Sequence, residues 1–356
     1  MLRAGASVPP GFALTTDAYR AMLLSDGVQQ HIHTLLGQII PNDVASEEAA
    51  SHAIRSLIEL TPIPAGIEAA IRGAYAALCE RVGVPDMPVA VRSSATAEDL
   101  PDASFAGQQD TFLWIIGADA VLEHIRKCWA SLFTTRAIAY RNDRHIPHEQ
   151  VLMSVAVQKM VNAKAAGVAM TLNPQNGDRS KIVIEANWGL GETVVSGTVT
   201  PDNFVVDKVL LEVIKRTISV KTLQLVVEVD KQGVVERPIS GEQQMQPSLT
   251  DDEVLAVARV AKQAEQHYGT PQDIEWAIDA DLPPSKNVAL LQSRPETVWS
   301  QKAAPQPANK ATYQVGIQSM LHTLLNPLHS KGGETRSKVA PQQISTTLNI
   351  QEQAEH

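Results

Sequence analysis

The segment 91–111 places an arginine beside small hydroxyl residues. Arg92 is followed by two serines, and a second small-residue turn lies at 104–107. Small side chains let backbone N–H groups approach a phosphate, and hydroxyl groups donate hydrogen bonds to it. An arginine side chain can donate two parallel hydrogen bonds to the same phosphate. The same residues also suit a helix N-terminus, with Ser94 or Thr96 as the capping residue and two acidic residues behind it. The local pattern leaves phosphate binding and helix capping open.

A second group of polar side chains lies between residues 275 and 294. Glu275 and Gln292 fall on two strands that we expect to pair, and Arg294 lies two residues beyond Gln292. Positions two apart on a strand share a face, so Gln292 and Arg294 point the same way. Carboxylate and amide oxygens suit Mg²⁺, and arginine suits phosphate. The spacing alone favours a simpler interpretation, a solvated face of an antiparallel strand.

Composition narrows the class of protein. The chain has 356 residues, of which 44% are hydrophobic and 19% charged, as in ordinary globular proteins. Its net charge of -9 argues against nucleic acid as a partner, because phosphate neutralisation needs a basic face. Two cysteines do not make a disulfide framework, so we expect a reducing cytoplasm, with Cys128 packed in a helix. No apolar run is long enough for a membrane helix, so we expect no membrane association.

Local patterns predict several elements that would hold these side chains. Residues 87–92 form a short apolar strand that ends at Arg92, and residues 203–235 suggest a meander of antiparallel strands. Thr250 begins a capping box ahead of a helix that reaches about Tyr268. The segments 273–279 and 288–292 are predicted to be paired strands.

Several longer motifs follow one another across residues 4–297. They are the run 91–111, CWASLFTTRA at 128–137, VQKMV at 157–161, WGLGE at 188–192, DIEWA at 273–277 and LQSRPET at 291–297. In this order they resemble the nucleotide-binding portion of phosphoenolpyruvate synthase, pyruvate phosphate dikinase and rifampicin phosphotransferase. The resemblance implies an α+β fold, an ATP-grasp-like two-lobed nucleotide-binding domain, over residues 1–300, with lobes of roughly 1–160 and 161–300. Residues 301–356 then form a linker and C-terminal tail, interpreted either as partly disordered or as docking a partner.

The resemblance also implies roles for individual residues, with ATP and Mg²⁺ as cofactors. Arg92 and Arg294 contact the transferring phosphate and act in catalysis, and Glu275 and Gln292 bind Mg²⁺. Gly107 and Thr111 belong to the loop that closes over the phosphates.

The remaining implied contacts concern the base and the sugar. Gln158 and the backbone near Val161 bind the adenine. Glu192 contacts the ribose or the metal, and a purely structural turn is the alternative. Asp273 is a weaker candidate that supports the site.

Two departures from the family pattern lead to the functional prediction. Family members carry a Gly-Gly-Lys segment ahead of the motifs and a phosphorylated histidine on a mobile domain, and neither is found in this sequence. A split system is therefore expected, in which the chain moves the β-phosphoryl group of ATP to a histidine-carrying phosphotransferase subunit. The ATP-binding subunit of phenylphosphate synthase, which acts on phenol, has this organisation and is the main prediction. The alternatives are part of a phosphoenolpyruvate synthase or rifampicin phosphotransferase, and a non-catalytic nucleotide-sensing subunit.

Overall fold

Two antiparallel sheets organise the chain. The computed structural model describes residues 5–41, 43–96, 99–100, 103–104, 110–228, 233–284 and 286–299. All of them fall within one compact unit, Met1–Lys302. The predicted linker and tail at 301–356 lie outside the described residues.

The first sheet has four strands in the order β1-β6-β2-β5. They are β1 (Gly11–Leu14), β2 (Val89–Ala95), β5 (Thr111–Ile115) and β6 (Met153–Lys159), and a short pair, β3 (Asp99–Leu100) and β4 (Ala103–Ser104), follows β2. Helices cover one face of this sheet: α1 (Thr16–Leu24), α2 (Val28–Leu36), α3 (Val44–Leu60), α4 (Ala65–Val82), α5 (Ala118–Ser131) and α6 (Thr135–Asp143). Their apolar side chains form one core with Val89, Val91, Val155 and Val157, and Trp129 lies fully buried within it.

The second sheet has six strands in the order β10-β9-β8-β7-β13-β14. They are β7 (Ala163–Met170), β8 (Lys181–Trp188), β9 (Asp202–Asp207), β10 (Glu212–Thr217), β13 (Gln272–Asp279) and β14 (Val288–Pro295). One face packs against α9 (Asp251–Tyr268) through a core that includes Trp276, Phe204 and Val257. The predicted capping box is confirmed, because the Thr250 hydroxyl accepts from Glu253 N and the Glu253 carboxylate accepts from Thr250 N. The opposite face of this sheet is left to form the site.

One hairpin is not part of either sheet. Its strands β11 (Leu223–Glu228) and β12 (Gly233–Pro238) pair only with each other among the described strands. The predicted antiparallel meander over 203–235 is therefore confirmed as strands, but β9 and β10 belong to the large sheet and β11 and β12 do not. Two short helices flank this region, α7 (Glu192–Val195) and α8 (Gly241–Gln244).

The structure corrects the prediction for the segment after Arg92. Strand β2 continues to Ala95 in register with β6, so Arg92 lies within the strand and not at its end. The helix-capping interpretation of Ser94 and Thr96 is wrong: Ser94 lies in the strand, and the Thr96 hydroxyl accepts a hydrogen bond from Leu152 N at 3.0 Å. Pairing with β6 outweighs the local capping pattern because it satisfies a continuous row of backbone groups.

Candidate functional site

A cavity of about 420 Å³ lies between the two sheets. The four-stranded sheet contributes Ala90, Arg92, Thr111 and Gln158 to its wall, and the six-stranded sheet contributes Ala166, Glu275 and Ala277. The turn that leads into α7 adds Leu190, Gly191 and Glu192. A cavity of this size, apolar for the most part and with a few polar groups, is typical of a small-molecule site.

One part of the cavity is apolar. Ala90, Met160 and Leu190 form a buried cluster, and Leu225, Val227 and Val234 of the β11–β12 hairpin pack against it. On the other side, Val161, Ala166, Ala277 and Ala289 form a second small cluster with Leu291. Residues of both clusters line the cavity, and we call this apolar part of it the slot. We call the β11–β12 hairpin the roof, because it packs against Ala90, Met160 and Leu190, which line the cavity, although none of its own described residues does.

Charged side chains lie on the two sheets where these approach one another. Arg92 Nη1 donates to Glu275 Oε2 at 3.0 Å, and the side chains of both residues are 17% exposed. Arg294 Nη2 lies 3.7 Å from Glu275 Oε1. A single carboxylate is thus held between two guanidinium groups, one from each sheet. The two guanidinium groups are donors that suit the oxygens of a polyanion.

Strand pairing explains how the second sheet presents its polar groups. Glu275 is the direct partner of Gln292, and Asp273 is the direct partner of Arg294, so all four residues lie on one face. The predicted pairing of these two strands is confirmed, and β14 extends as far as Pro295, which places Arg294 inside it. Directly opposite residues on paired strands bring their side chains together. The local β-pattern therefore builds the polar cluster.

Asp273 is a buried acid beside this cluster. Burial raises the pKa of Asp273 from 3.8 to about 6, repulsion from Glu296 adds to the shift, and Arg294 opposes it. Its Oδ1 atom has no hydrogen-bond partner within the described part of the chain. An oxygen in this state is a candidate ligand for a cation or a hydrogen-bond donor.

The oxygen donors on this face fit Mg²⁺. In the described ranges, no group of three or more His, Cys, Asp or Glu side chains is arranged to hold a metal ion. The donors present are the carboxylate of Glu275, the amide of Gln292 and the unpartnered Oδ1 of Asp273. Mg²⁺ is commonly bound by one or two protein oxygens and completes its shell with waters and substrate phosphates. The set therefore suits a metal that arrives with a nucleotide.

Side-chain contacts with backbone oxygens hold the strand that carries Arg92. Ser93 Oγ donates to Asp110 O at 2.9 Å, next to Thr111, which is the direct partner of Arg92. The buried Cys128 thiol lies 3.9 Å from both Val91 O and Asp110 O. Burial strongly raises the pKa of Cys128, so the thiol is uncharged and serves as packing, in agreement with the sequence-based expectation.

The structure brings most of the predicted site residues together. Six of them line the cavity: Arg92, Thr111, Gln158, Val161, Glu192 and Glu275. Gln292 and Arg294 lie beside it on β14, next to Glu275. Gly107 lies outside the described residues. The roles assigned to these residues stay predictions.

Sequence reasoning missed the roof. Val227 and Val234 have the alternation of any hairpin, and the local pattern carries no sign that they pack against residues of the cavity wall. The signal available in the sequence was the glycine at position 189, and the structure gives it a φ of 74°. A Cβ atom at this position would overlap Leu225 O, so only glycine lets the roof approach β8 this closely.

The two sheets, the cleft between them and the roof define an ATP-grasp-like, two-lobed α+β nucleotide-binding domain. Residues 1–314 match the family model described as pyruvate phosphate dikinase, AMP/ATP-binding domain. The chain belongs to this family of dikinase-type, ATP-dependent phosphotransferases.

Curated relatives agree with this assignment. The chain is 46% identical over 331 residues to a probable phosphoenolpyruvate synthase of Staphylothermus marinus. The aligned region covers 87% of this chain and 40% of that protein. It is 45% identical over 326 residues to the phosphoenolpyruvate synthase of Aeropyrum pernix, and this aligned region covers 85% of this chain and 40% of that protein. For the Pyrococcus furiosus phosphoenolpyruvate synthase, the identity is 37% over 347 residues, which cover 87% and 42%. The chain spans about two fifths of the length of these relatives.

The described part of the chain has no helix that combines the length and the hydrophobicity needed to cross a bilayer. The predicted cytoplasmic location stays a prediction.

Proposed function

We propose that this chain binds ATP with Mg²⁺ in the cavity between the sheets and transfers the β-phosphoryl group to a histidine outside the described residues. The observation that carries the proposal is the Arg92–Glu275–Arg294 cluster, which joins the polar faces of the two sheets beside an apolar slot. A purine base needs a dry slot and a triphosphate needs concentrated positive charge. Arg92 and Glu275 line the same cavity as the apolar slot, and Arg294 lies beside it.

The apolar slot is the place for the adenine. Met160, Leu190 and Ala90 supply flat apolar contact, and Val161 and Ala277 lie across from them. Gln158 lines the same space and offers an amide that donates and accepts hydrogen bonds. Glu192, at the start of α7, is exposed and lines the cavity, where its carboxylate accepts hydrogen bonds from the ribose hydroxyls.

The charged end is the place for the phosphates. Arg92 and Arg294 would bind phosphate oxygens and neutralise the charge that develops on the transferring group. Thr111, the strand partner of Arg92, offers a hydroxyl donor beside it. Glu275 and Gln292 would hold Mg²⁺, which supplies charge neutralisation and orients the phosphates when it is bound. The Arg92–Glu275 contact then gives way to contacts with the ligand.

The names of the relatives support one class of acceptor chemistry. The relatives named above are phosphoenolpyruvate synthases, and this favours a reaction of that type over the phenol-phosphorylating system that we predicted first. Transfer of the β-phosphoryl group releases AMP and phosphate, since water takes the γ-phosphoryl group. The phosphohistidine lies either on a partner subunit or on another part of a longer chain. Phenol as the final acceptor is supported by none of the relatives named above and stays a prediction.

The test is an assay with ATP labelled with ³²P at the β-position, the purified chain and Mg²⁺. Acceptors are the separately expressed histidine domain of a phosphoenolpyruvate synthase relative and a variant of it without the histidine. We expect label on the intact domain only, AMP release, and no transfer with Arg92→Ala. Label from the γ-position on the domain without label from the β-position would contradict the proposal.

A non-catalytic nucleotide sensor is the competing outcome of the same assay. It predicts saturable ATP binding without AMP formation when every acceptor is present. This result would rule out phosphoryl transfer while keeping the assignment of the nucleotide site.

A further inference from the structure

Strand β8, helix α7 and the roof meet at one buried amide. Asn187 is fully buried near the end of β8, three residues after Ile184 of the core and shortly before the turn into α7. Its Nδ2 donates to Thr193 Oγ1 at 3.0 Å and to Leu223 O at 2.9 Å. The first acceptor lies on α7 and the second at the start of the roof. Asn187 therefore connects β8, α7 and the roof.

The orientation of this amide is unambiguous. A backbone carbonyl only accepts hydrogen bonds, so the NH₂ group of Asn187 has to face Leu223 O. The second amide hydrogen then points to the Thr193 hydroxyl, which acts as the acceptor. Thr193 is itself 2% exposed. Buried hydrogen bonds of this kind fix one arrangement because the alternative leaves unsatisfied groups away from water.

Neighbouring contacts hold the same junction. Leu190 N donates to Leu225 O at 2.8 Å, which joins the turn to the roof. Gly191 lies against Ala166 and Gly167 N on the floor of the cavity. Glu192 immediately precedes Thr193, so fixing Thr193 also fixes the backbone from which the Glu192 carboxylate extends.

We propose that Asn187 and Thr193 are positioning residues for the base-binding part of the cavity: their hydrogen bond sets the α7 turn and the roof in the arrangement that receives the nucleoside. Neither residue is among those that line the cavity. Their effect is confined to the nucleoside portion of the ligand, because the phosphate-binding cluster lies on β2, β13 and β14. The proposal rests on the assignment of the cavity as an ATP site.

The test uses a substitution that keeps the shape of the side chain. Thr193→Val removes the hydroxyl acceptor and leaves a side chain of similar size, while Thr193→Ser restores the hydroxyl. Asn187→Asp is less useful because it would place a buried carboxylate against Leu223 O. The matched control is Thr61→Val, since Thr61 is also buried and its hydroxyl donates to Leu57 O, far from the cavity.

Binding is measured by calorimetry on the full chain with Mg²⁺ and two probes, ATP and tripolyphosphate. We expect Thr193→Val to weaken ATP binding about tenfold, in line with the loss of one buried hydrogen bond. Tripolyphosphate binding should not change, because the phosphate cluster is intact. Thr193→Ser should restore ATP affinity, and Thr61→Val should lower the melting temperature without affecting either ligand.

Three outcomes would overturn the proposal. Unchanged ATP affinity in Thr193→Val would show that the hydrogen bond serves stability alone. An equal loss of ATP and tripolyphosphate binding would show a general disturbance of the domain. If the wild-type chain binds no ATP, the proposed function itself fails, and this result is distinct from the other two because it is seen without any substitution.

Discussion

Arg92 Nη1 and Glu275 Oε2 are 3.0 Å apart, although 183 positions separate the two residues in the chain. This hydrogen bond joins β2 of the four-stranded sheet to β13 of the six-stranded sheet across the cavity. Each charge is only 17% exposed, so each depends on the other for compensation. A nucleotide with its metal would supply new partners to both residues.

The first prediction concerns the balance of charge in this cluster. Glu275→Gln leaves Arg92 and Arg294 without their shared carboxylate, so the cavity becomes more attractive to anions. We expect metal-free ATP to bind at least as well as it binds the wild-type chain, and the gain in affinity from Mg²⁺ to fall about tenfold or more. Calorimetry with and without Mg²⁺ measures both. Glu212→Gln on the exposed edge strand is the control, and equal Mg²⁺ dependence in both variants would contradict the account.

The second prediction concerns a buried ion pair that anchors the roof. Lys221 Nζ lies 2.7 Å from Asp202 Oδ1, and both side chains are fully buried. Asp202 also accepts from Ser219 N, Ser248 N and Ser248 Oγ, so one carboxylate connects the segments that precede and follow the roof. Asp202→Ala leaves a buried charge unpaired and should lower the free energy of unfolding by about 3–5 kcal/mol.

The control for this substitution is Asp251→Ala. Asp251 also forms an ion pair, with Arg216, but its side chain is 61% exposed. Its removal should cost less than about 1 kcal/mol. Urea unfolding of both variants gives the comparison, and similar losses would show that burial of the Asp202–Lys221 pair has little energetic effect.

The third prediction tests the close approach of the roof to β8. Gly189→Ala combines a positive φ of 74° with a Cβ atom that would overlap Leu225 O. We expect a loss of about 2–4 kcal/mol in the free energy of unfolding, and faster hydrogen exchange in β11 and β12. Gly197→Ala shares the positive φ, 71°, but nothing lies within 4 Å of its Cβ, so it should cost about 1 kcal/mol. Equal losses would assign the whole effect to backbone strain.

The fourth prediction concerns pH. The pKa of Asp273 is about 6 in the folded chain and 3.8 ordinarily, so between these values the folded chain retains a proton that the unfolded chain releases. Deprotonation of Asp273 therefore lowers the free energy of unfolding of the wild-type chain as pH rises from about 4 to 6. Asp273→Asn removes this titration. The unfolding free energy of the variant minus that of the wild-type chain should therefore be up to about 2 kcal/mol larger at pH 7 than at pH 4.

Unfolding free energies at several pH values test this, with the exposed Asp143→Asn as the control. A stability difference between Asp273→Asn and the wild-type chain that stays constant from pH 4 to pH 7 would show that Asp273 titrates normally in the folded chain.

Local signals predicted several of the elements, and contacts between distant residues decided others. The capping box at Thr250 and the paired strands that carry Glu275 and Gln292 follow from patterns within a few residues. The structure of segment 93–96 could not be predicted in this way, because small hydroxyl residues suit a helix cap and a strand alike and pairing with β6 decides between them. The role of β11 and β12 depends on Gly189 and Asn187, whose partners on the roof lie more than 30 residues away.

Site prediction shows the same division. The motifs that contain Arg92, Glu275 and Arg294 were recognised from the sequence, but nothing local indicates that these three side chains form one cluster. Asn187 was missed because a buried asparagine near a strand end has no distinguishing pattern of its own.

The most direct test of the account is a calorimetric titration of the full chain with ATP and Mg²⁺, made in parallel on Arg92→Ala. Arg216→Ala is the control, since Arg216 forms its ion pair with Asp251 on the surface. The account predicts one saturable site, unchanged in Arg216→Ala and weakened at least about tenfold in Arg92→Ala. A wild-type chain that does not bind ATP, or an Arg92→Ala variant that binds it equally well, would contradict the assignment of the cavity.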